Sequence, residues 1–171
     1  NIYLLFISYT LGFISRRNQF ERAKVLESIG SSLVKEKIHP VLQSYFLSSL
    51  VFLRDFEGKP VARDFLIKET LSVIDKKSPR YRTIFYNIAV LLSLLGRLKD
   101  LDKEDLELIE KPLNDQHEYI CSGMKMDNAI ILGNYEEGYQ YVEYLKKSFK
   151  GGDAYSIRAR ICILQILSGD F

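Results

Sequence analysis

A turn-then-helix grammar recurs along this chain at nearly constant intervals, and that recurrence constrains the fold more than any other feature. Its clearest copy is Leu132-Gly133-Asn134-Tyr135-Glu136-Glu137-Gly138-Tyr139. An anchor residue followed three positions later by a small or apolar one can be laid out as Phe20 with Ala23, Lys59 with Ala62, Leu98 with Leu101, Tyr135 with Gly138, and finally Phe171. Successive anchors lie 39, 39, 37 and 36 residues apart. Each is preceded by an apolar segment of helical periodicity and, except at the end, followed by an amphipathic one. Stacked helical hairpins are the architecture that such a period implies.

The first helices of the hairpins are expected over Ile2–Arg16, Val41–Arg54, Arg80–Leu95, Gln116–Leu132 and Ala154–Leu167, and the second over Phe20–Val34, Pro60–Asp75, Lys103–Glu110 and Tyr135–Phe149. Gly30, Pro40, Pro79, Pro112 and Gly151-Gly152 supply breaks between hairpins. Asn18 with Glu21 and Asn134 with Glu137 have the spacing of an N-cap and the acid that reaches back to it, and Asp102 with Asp105 is a weaker version. Pro60 suits a first helical turn, where its missing N–H costs nothing. Runs such as Ala129-Ile130-Ile131-Leu132 lack a hairpin turn to pair them as strands and read as buried helix. The expected class is all-α, a single helical-repeat domain spanning residues 1–171 with about 4.5 hairpins.

The turn at 132–138 resembles the inter-helix turn of tetratricopeptide repeats, where an aromatic residue and a pair of acids precede a small residue at the close helix crossing. Ala23 and Ala62 resemble that small position in the first two hairpins, where only a small side chain lets the helix axes approach. Departures are also plain: the family period is 34 residues, Trp is absent, Met126 and Ala89 stand where a Gly is usual, and Leu101 replaces the small residue. The resemblance implies a right-handed superhelix of antiparallel hairpins, a tetratricopeptide-like α-solenoid, with the first helix of each hairpin lining its concave side. It further implies that exposed polar groups there read a partner; in this register they are Arg16, Arg54, Asp55, Tyr86, Asn87, Asp127 and Asn128. Asn side chains can clamp the donors and acceptors of an extended peptide, and Tyr supplies contact area at low entropic cost.

Chemistry of other kinds is thinly encoded. With 47% apolar and 27% charged residues and a formal net charge of +2, the chain has the balance of an ordinary folded protein, with no long-range steering toward nucleic acid. Small basic clusters occur at Lys76–Arg82 and Lys146–Lys150, and charged loop and helix ends explain them more simply than direct nucleic-acid binding. His117-x-x-x-Cys121 offers two ligands on one helical face, too few for a structural zinc site. Ser32-Leu33-Val34-Lys35 matches a Ser-x-x-Lys pattern without its companion signatures. The acids of Asp100–Glu110 fit a helix start, with an acidic docking face as the functional alternative. No catalytic centre, metal or small-molecule cofactor is therefore expected.

Two cysteines, Cys121 and Cys162, make no disulfide framework, and a reducing cytoplasm fits best. The uncharged opening stretch Asn1–Ile14 is too short to span a bilayer, which needs about 20 residues, and reads as a buried first helix. The chain begins at Asn rather than Met, leaving room for sequence upstream. At the other end the turn begins again at Gly169 and the array stops on half a hairpin, whose exposed apolar face invites homodimer packing. The leading expectation is a non-enzymatic protein- or peptide-binding module. The alternative is the peptide-sensing domain of a bacterial transcription regulator, similar to those whose tetratricopeptide-like domain follows a DNA-binding part absent from this chain.

Overall fold

The computed structural model describes residues 2–35, 38–148 and 154–170. Within them the chain is all-helical: α1 (Ile2–Ser15), α2 (Phe20–Val34), α3 (Pro40–Phe56), α4 (Pro60–Val73), α5 (Tyr81–Leu94), a 3-10 turn (Leu98–Asp100), α6 (Lys103–Glu110), α7 (Asp115–Ile131), α8 (Tyr135–Ser148) and α9 (Ala154–Ser168). Every helix expected from the periodicity is present, with ends displaced by at most two residues among the described positions. Phe149, Gly151-Gly152 and the last anchor Phe171 lie outside them. No helix among the described residues is long and apolar enough to cross a membrane.

One backbone device ends each first helix. At Gly133 (φ 76°) the amide donates to the Ile130 carbonyl at 3.1 Å, and the Asn134 amide donates to the Ala129 carbonyl at 2.9 Å. This is a Schellman closure, in which a left-handed residue lets two amides satisfy carbonyls that the helix end would otherwise leave bare. The same pair of bonds forms at Asn18, Gly58 and Gly96, and at Gly169 the Asp170 amide reaches the Gln165 carbonyl at 3.0 Å. Residues 18, 58, 96, 133 and 169 are the positive-φ positions among the described residues, one or two places before each anchor of the sequence register. The periodicity in the sequence is thus a periodicity of left-handed turns.

Two local expectations are corrected. Asn18 does not cap α2: it occupies the left-handed position itself (φ 55°), and the N-cap falls to Gln19, which makes no side-chain capping bond. Asn does this because its short polar side chain tolerates left-handed backbone better than other non-glycine residues. Gly30 does not break the chain between hairpins. It lies inside α2, where a Cβ would fall 2.2 Å from the buried Phe46 ring, so its role is to admit that ring. By contrast, Asp102 caps α6 through its Oδ1, which accepts from the Asp105 amide at 2.9 Å, and Pro60 occupies the first turn of α4. Asn114 and His39 cap α7 and α3 in the same manner, unforeseen from the sequence.

The chain divides into two compact units, Asn1–Ile88 and Ala89–Phe171. In the first, α3 packs on α1, α2 and α4. Its core joins Leu4, Ile7, Leu11 and Ile14 of α1 to Ala23 of α2 and to Phe46, Leu50 and Leu53 of α3, and Ala23 fills the expected small position. In the second, Met126 and Ile130 of α7 meet Val142 and Leu145 of α8 and Ile157 and Leu164 of α9. Gly138 is again a close approach, since a Cβ there would sit 3.1 Å from Leu164. The segment from α5 to α6 departs from the pattern: a 3-10 turn starts at its anchor Leu98, Leu101 is buried where a small residue is expected, and α6 has only 8 residues.

These turns predict a graded series in chemical denaturation. Gly58→Ala and Gly133→Ala, with open space around the new Cβ, should each cost about 1–2 kcal/mol from left-handed strain alone. Asn18→Gly should be neutral or stabilising, and Asn18→Ala destabilising. Gly30→Ala should cost about 1–3 kcal/mol by overpacking, despite the higher helix propensity of Ala.

Candidate functional site

In the first unit, α1, α3 and the opening turns of α5 wall a depression of about 420 Å³. Leu5, Ser8, Tyr9, Gly12, Phe13 and Arg16 follow the 3-4 spacing of one helix face, as do Tyr45, Ser48, Ser49 and Phe52 on α3, and Thr83 and Asn87 on α5. The hydroxyls of Ser8 and Ser49 donate back to the carbonyls of Leu4 (2.7 Å) and Tyr45 (3.0 Å), so their chemistry toward a ligand is that of acceptors. At Gly12 an added Cβ would meet nothing within 4 Å, so this glycine widens the floor. Tyr9 and Phe13 stand exposed at the rim, with the Arg17 guanidinium 4.2 Å from the centre of the Phe13 ring.

Charge sets the chemistry of this depression. Among the described residues no carboxylate lines it, and Arg16 is exposed with no ion-pair or hydrogen-bond partner. The lining offers hydroxyl and amide groups, aromatic area and one guanidinium fork. Such a set can hold an extended chain and an anionic group.

Among the expected partner-reading residues, Arg16 and Asn87 are brought together here, and both are exposed. The polar groups of the other five are occupied within the fold. Arg54 bonds Glu57 (Nη1 to Oε2, 2.8 Å) and Glu27 of α2, while Asp55 accepts from Arg63 at 2.8 Å. Tyr86 is buried, its ring tilted on Phe85 and its Oη 3.4 Å from the Arg82 Nη1 that donates to it. In the second unit Asp127 is gripped by both arms of Arg160, at 2.7 and 2.9 Å. Asn128 Oδ1 accepts from the Leu98 amide at 3.2 Å, tying α7 to the 3-10 turn.

No family model, curated protein or solved structure matches the chain. What the molecule does has to be read from its own residues.

Tyr9, Tyr45, Ser48 and Thr83 complete the depression, though the sequence does not single them out. Their 3-4 spacing on the first helices is the signal that could have found them. A second depression, about 720 Å³ and almost wholly apolar, opens on the other side of α3, lined by Leu50, Val61, Ala62, Phe65 and Leu66 with Arg54 at its edge. The remaining chemical motifs have local explanations. Ser32 Oγ donates to the Ser28 carbonyl; Asp100, Glu107 and Glu110 pair with Arg97, Lys111 and Lys125, and Asp102 caps α6. No group of three or more metal-ligating side chains is found among the described residues.

The Glu57 carboxylate holds α3 and the start of α4 together through Arg54 and Lys59 (3.1 Å). Burial alone would raise its pKa, but bonds from Lys59 and Arg54 outweigh it, and the net shift is below the ordinary 4.5. A depressed carboxylate stabilises the fold above the unfolded-state pKa, and this contribution is lost as pH falls through the lower folded value. Glu57→Gln should therefore lower stability by about 1–2 kcal/mol at pH 7. The gap should close as pH drops below the carboxylate range, measured by urea titration between about pH 7 and pH 3.

Proposed function

We propose that this protein is a non-enzymatic interaction module, a tetratricopeptide-like helical array whose first helices bind an extended peptide or protein segment. The depression walled by α1, α3 and α5 is where we place that contact in the first unit. The observation that carries the reading is an Arg16 guanidinium that meets no partner among the described residues, set in a described lining with no carboxylate and rich in hydroxyl, amide and aromatic groups. A segment bearing an acidic side chain would satisfy Arg16 while its backbone meets Asn87 and the serine and tyrosine hydroxyls. The recurrent Schellman turns support the repeat reading, because they set each first helix into its hairpin in one way. Cys121 and Cys162 as free thiols are compatible with a reducing, cytoplasmic setting.

A displayed library of random peptides about 12 residues long, more than enough to span the depression, tests this directly when selected on the immobilised chain. Enriched sequences should carry Asp or Glu, and Arg16→Ala should weaken them about 10- to 100-fold by fluorescence anisotropy, the worth of one charge-assisted hydrogen bond. Gly12→Leu should fill the floor and abolish binding without lowering the melting temperature, since Leu is the better helix former. Failure to enrich any peptide, or equal binding by wild type and Gly12→Leu, would defeat the reading.

A further inference from the structure

The face of α1 turned away from the core carries Ile2, Phe6, Tyr9 and Phe13, exposed by 78, 68, 68 and 56%, with Tyr3 beside them at 72%. At about 100° per residue these four fall within about 60° of arc, opposite the buried row Leu4, Ile7, Leu11 and Ile14. Their spacing of four, three and four residues is that of a helix-packing seam. A helix with one seam in a core and a second seam in water is built to receive another helix.

We propose that this outer seam is a homodimer interface, packing antiparallel against the same seam of a second copy about a two-fold axis. Three observations choose this occupant. The stripe is symmetric in the chain: an antiparallel partner centred between residues 7 and 8 sets Ile2 against Phe13 and Phe6 against Tyr9, so the surface complements itself, as an isologous contact must. The helix carries no charge from Ile2 to Ser15, so two copies meet without like-charge repulsion. Its area is sufficient. Side chains of this size bury about 150–250 Å² each, so at these exposures the five offer roughly 500–700 Å² per copy, near the ~800 Å² per partner of a standard interface. A patch of that extent lies at the upper end of, or above, the ~300–600 Å² of the largest apolar patch on a typical monomer, the range in which patches are often functional. This inference does not need the peptide reading, although Tyr9 and Phe13 also form the rim of the depression and a dimer would cover that rim. It also differs from dimer packing at the C-terminal half-hairpin, since it needs nothing from α9.

Sedimentation equilibrium on the 171-residue chain, across protein concentrations from about 1 to about 200 μM that bracket an ordinary dimer affinity, is the test. The mass should rise to twice the monomer value and stop there. Phe6→Glu and Tyr9→Lys, both at exposed positions, should each keep wild-type helicity by circular dichroism yet weaken self-association at least about 100-fold, because each puts an unpaired charge against an aromatic ring in an apolar seam. Mixed together, the two variants should pair again, because the carboxylate introduced at position 6 of one copy then faces the ammonium introduced at position 9 of the other across the two-fold axis. A wild type that stays monomeric throughout overturns the proposal. So does a mass that keeps climbing past the dimer, which marks an open head-to-tail contact, and so does co-flotation of the monomer with phosphatidylcholine vesicles, which marks a lipid-facing helix.

Discussion

Everything in this fold depends on where its first helices stop. An α-helix has no intrinsic reason to end after about four turns while its next residues are apolar, and its last carbonyls need donors once it does. A residue in the left-handed region solves both problems, turning the chain and supplying two amides to the bare carbonyls. Four closures of this kind, at Asn18, Gly58, Gly96 and Gly133, and the matching 6→1 bond at Gly169, end successive helices among the described residues. Small residues at Ala23 and Gly138 then allow the close helix approach on which the packing rests.

The turn reaches the candidate site through α1 and α3. Because α1 ends at Ser15 and turns through Asn18, Arg16 sits beyond the last helical residue, on the flank of α1 that faces the depression. On α3 the equivalent turn at Gly58 places Arg54 and Asp55 differently: they face α2 and α4, and the ion pairs Arg54–Glu27, Arg54–Glu57 and Arg63–Asp55 consume them. Charged residues near two equivalent turns therefore have opposite fates, one exposed and the others spent in ion pairs between helices. What separates them is the supply of counter-charges on the neighbouring helices.

That difference marks how far the sequence can be read. Helix positions are legible because period, proline and glycine are local signals, and the ends of α2 and α6 agree to the residue. Gly30 misleads because a glycine in an apolar helix looks like a stop until the Phe46 ring, sixteen residues on, is seen lying against it. Asn18 misleads because an N-cap and a left-handed turn favour the same residue type, and only the backbone tells them apart. Asp127 looks like a groove residue because its partner, Arg160, is 33 positions away in a helix whose register local signals do not set. The depression itself is half legible: the expectation that first helices present the binding face names Arg16 and Asn87, but not the tyrosines and serines between them.

A two-dimensional amide NMR titration of the isotope-labelled chain with an acidic peptide puts the binding role proposed for the first helices to its sharpest trial. Shifts should concentrate at Ser8, Gly12, Arg16, Tyr45, Ser49, Thr83 and Asn87, with the α2 and α4 faces around Val25, Ile29 and Phe65 unmoved. Shifts centred on Val61 and Phe65, or spread evenly without saturation, would contradict a peptide site between α1, α3 and α5.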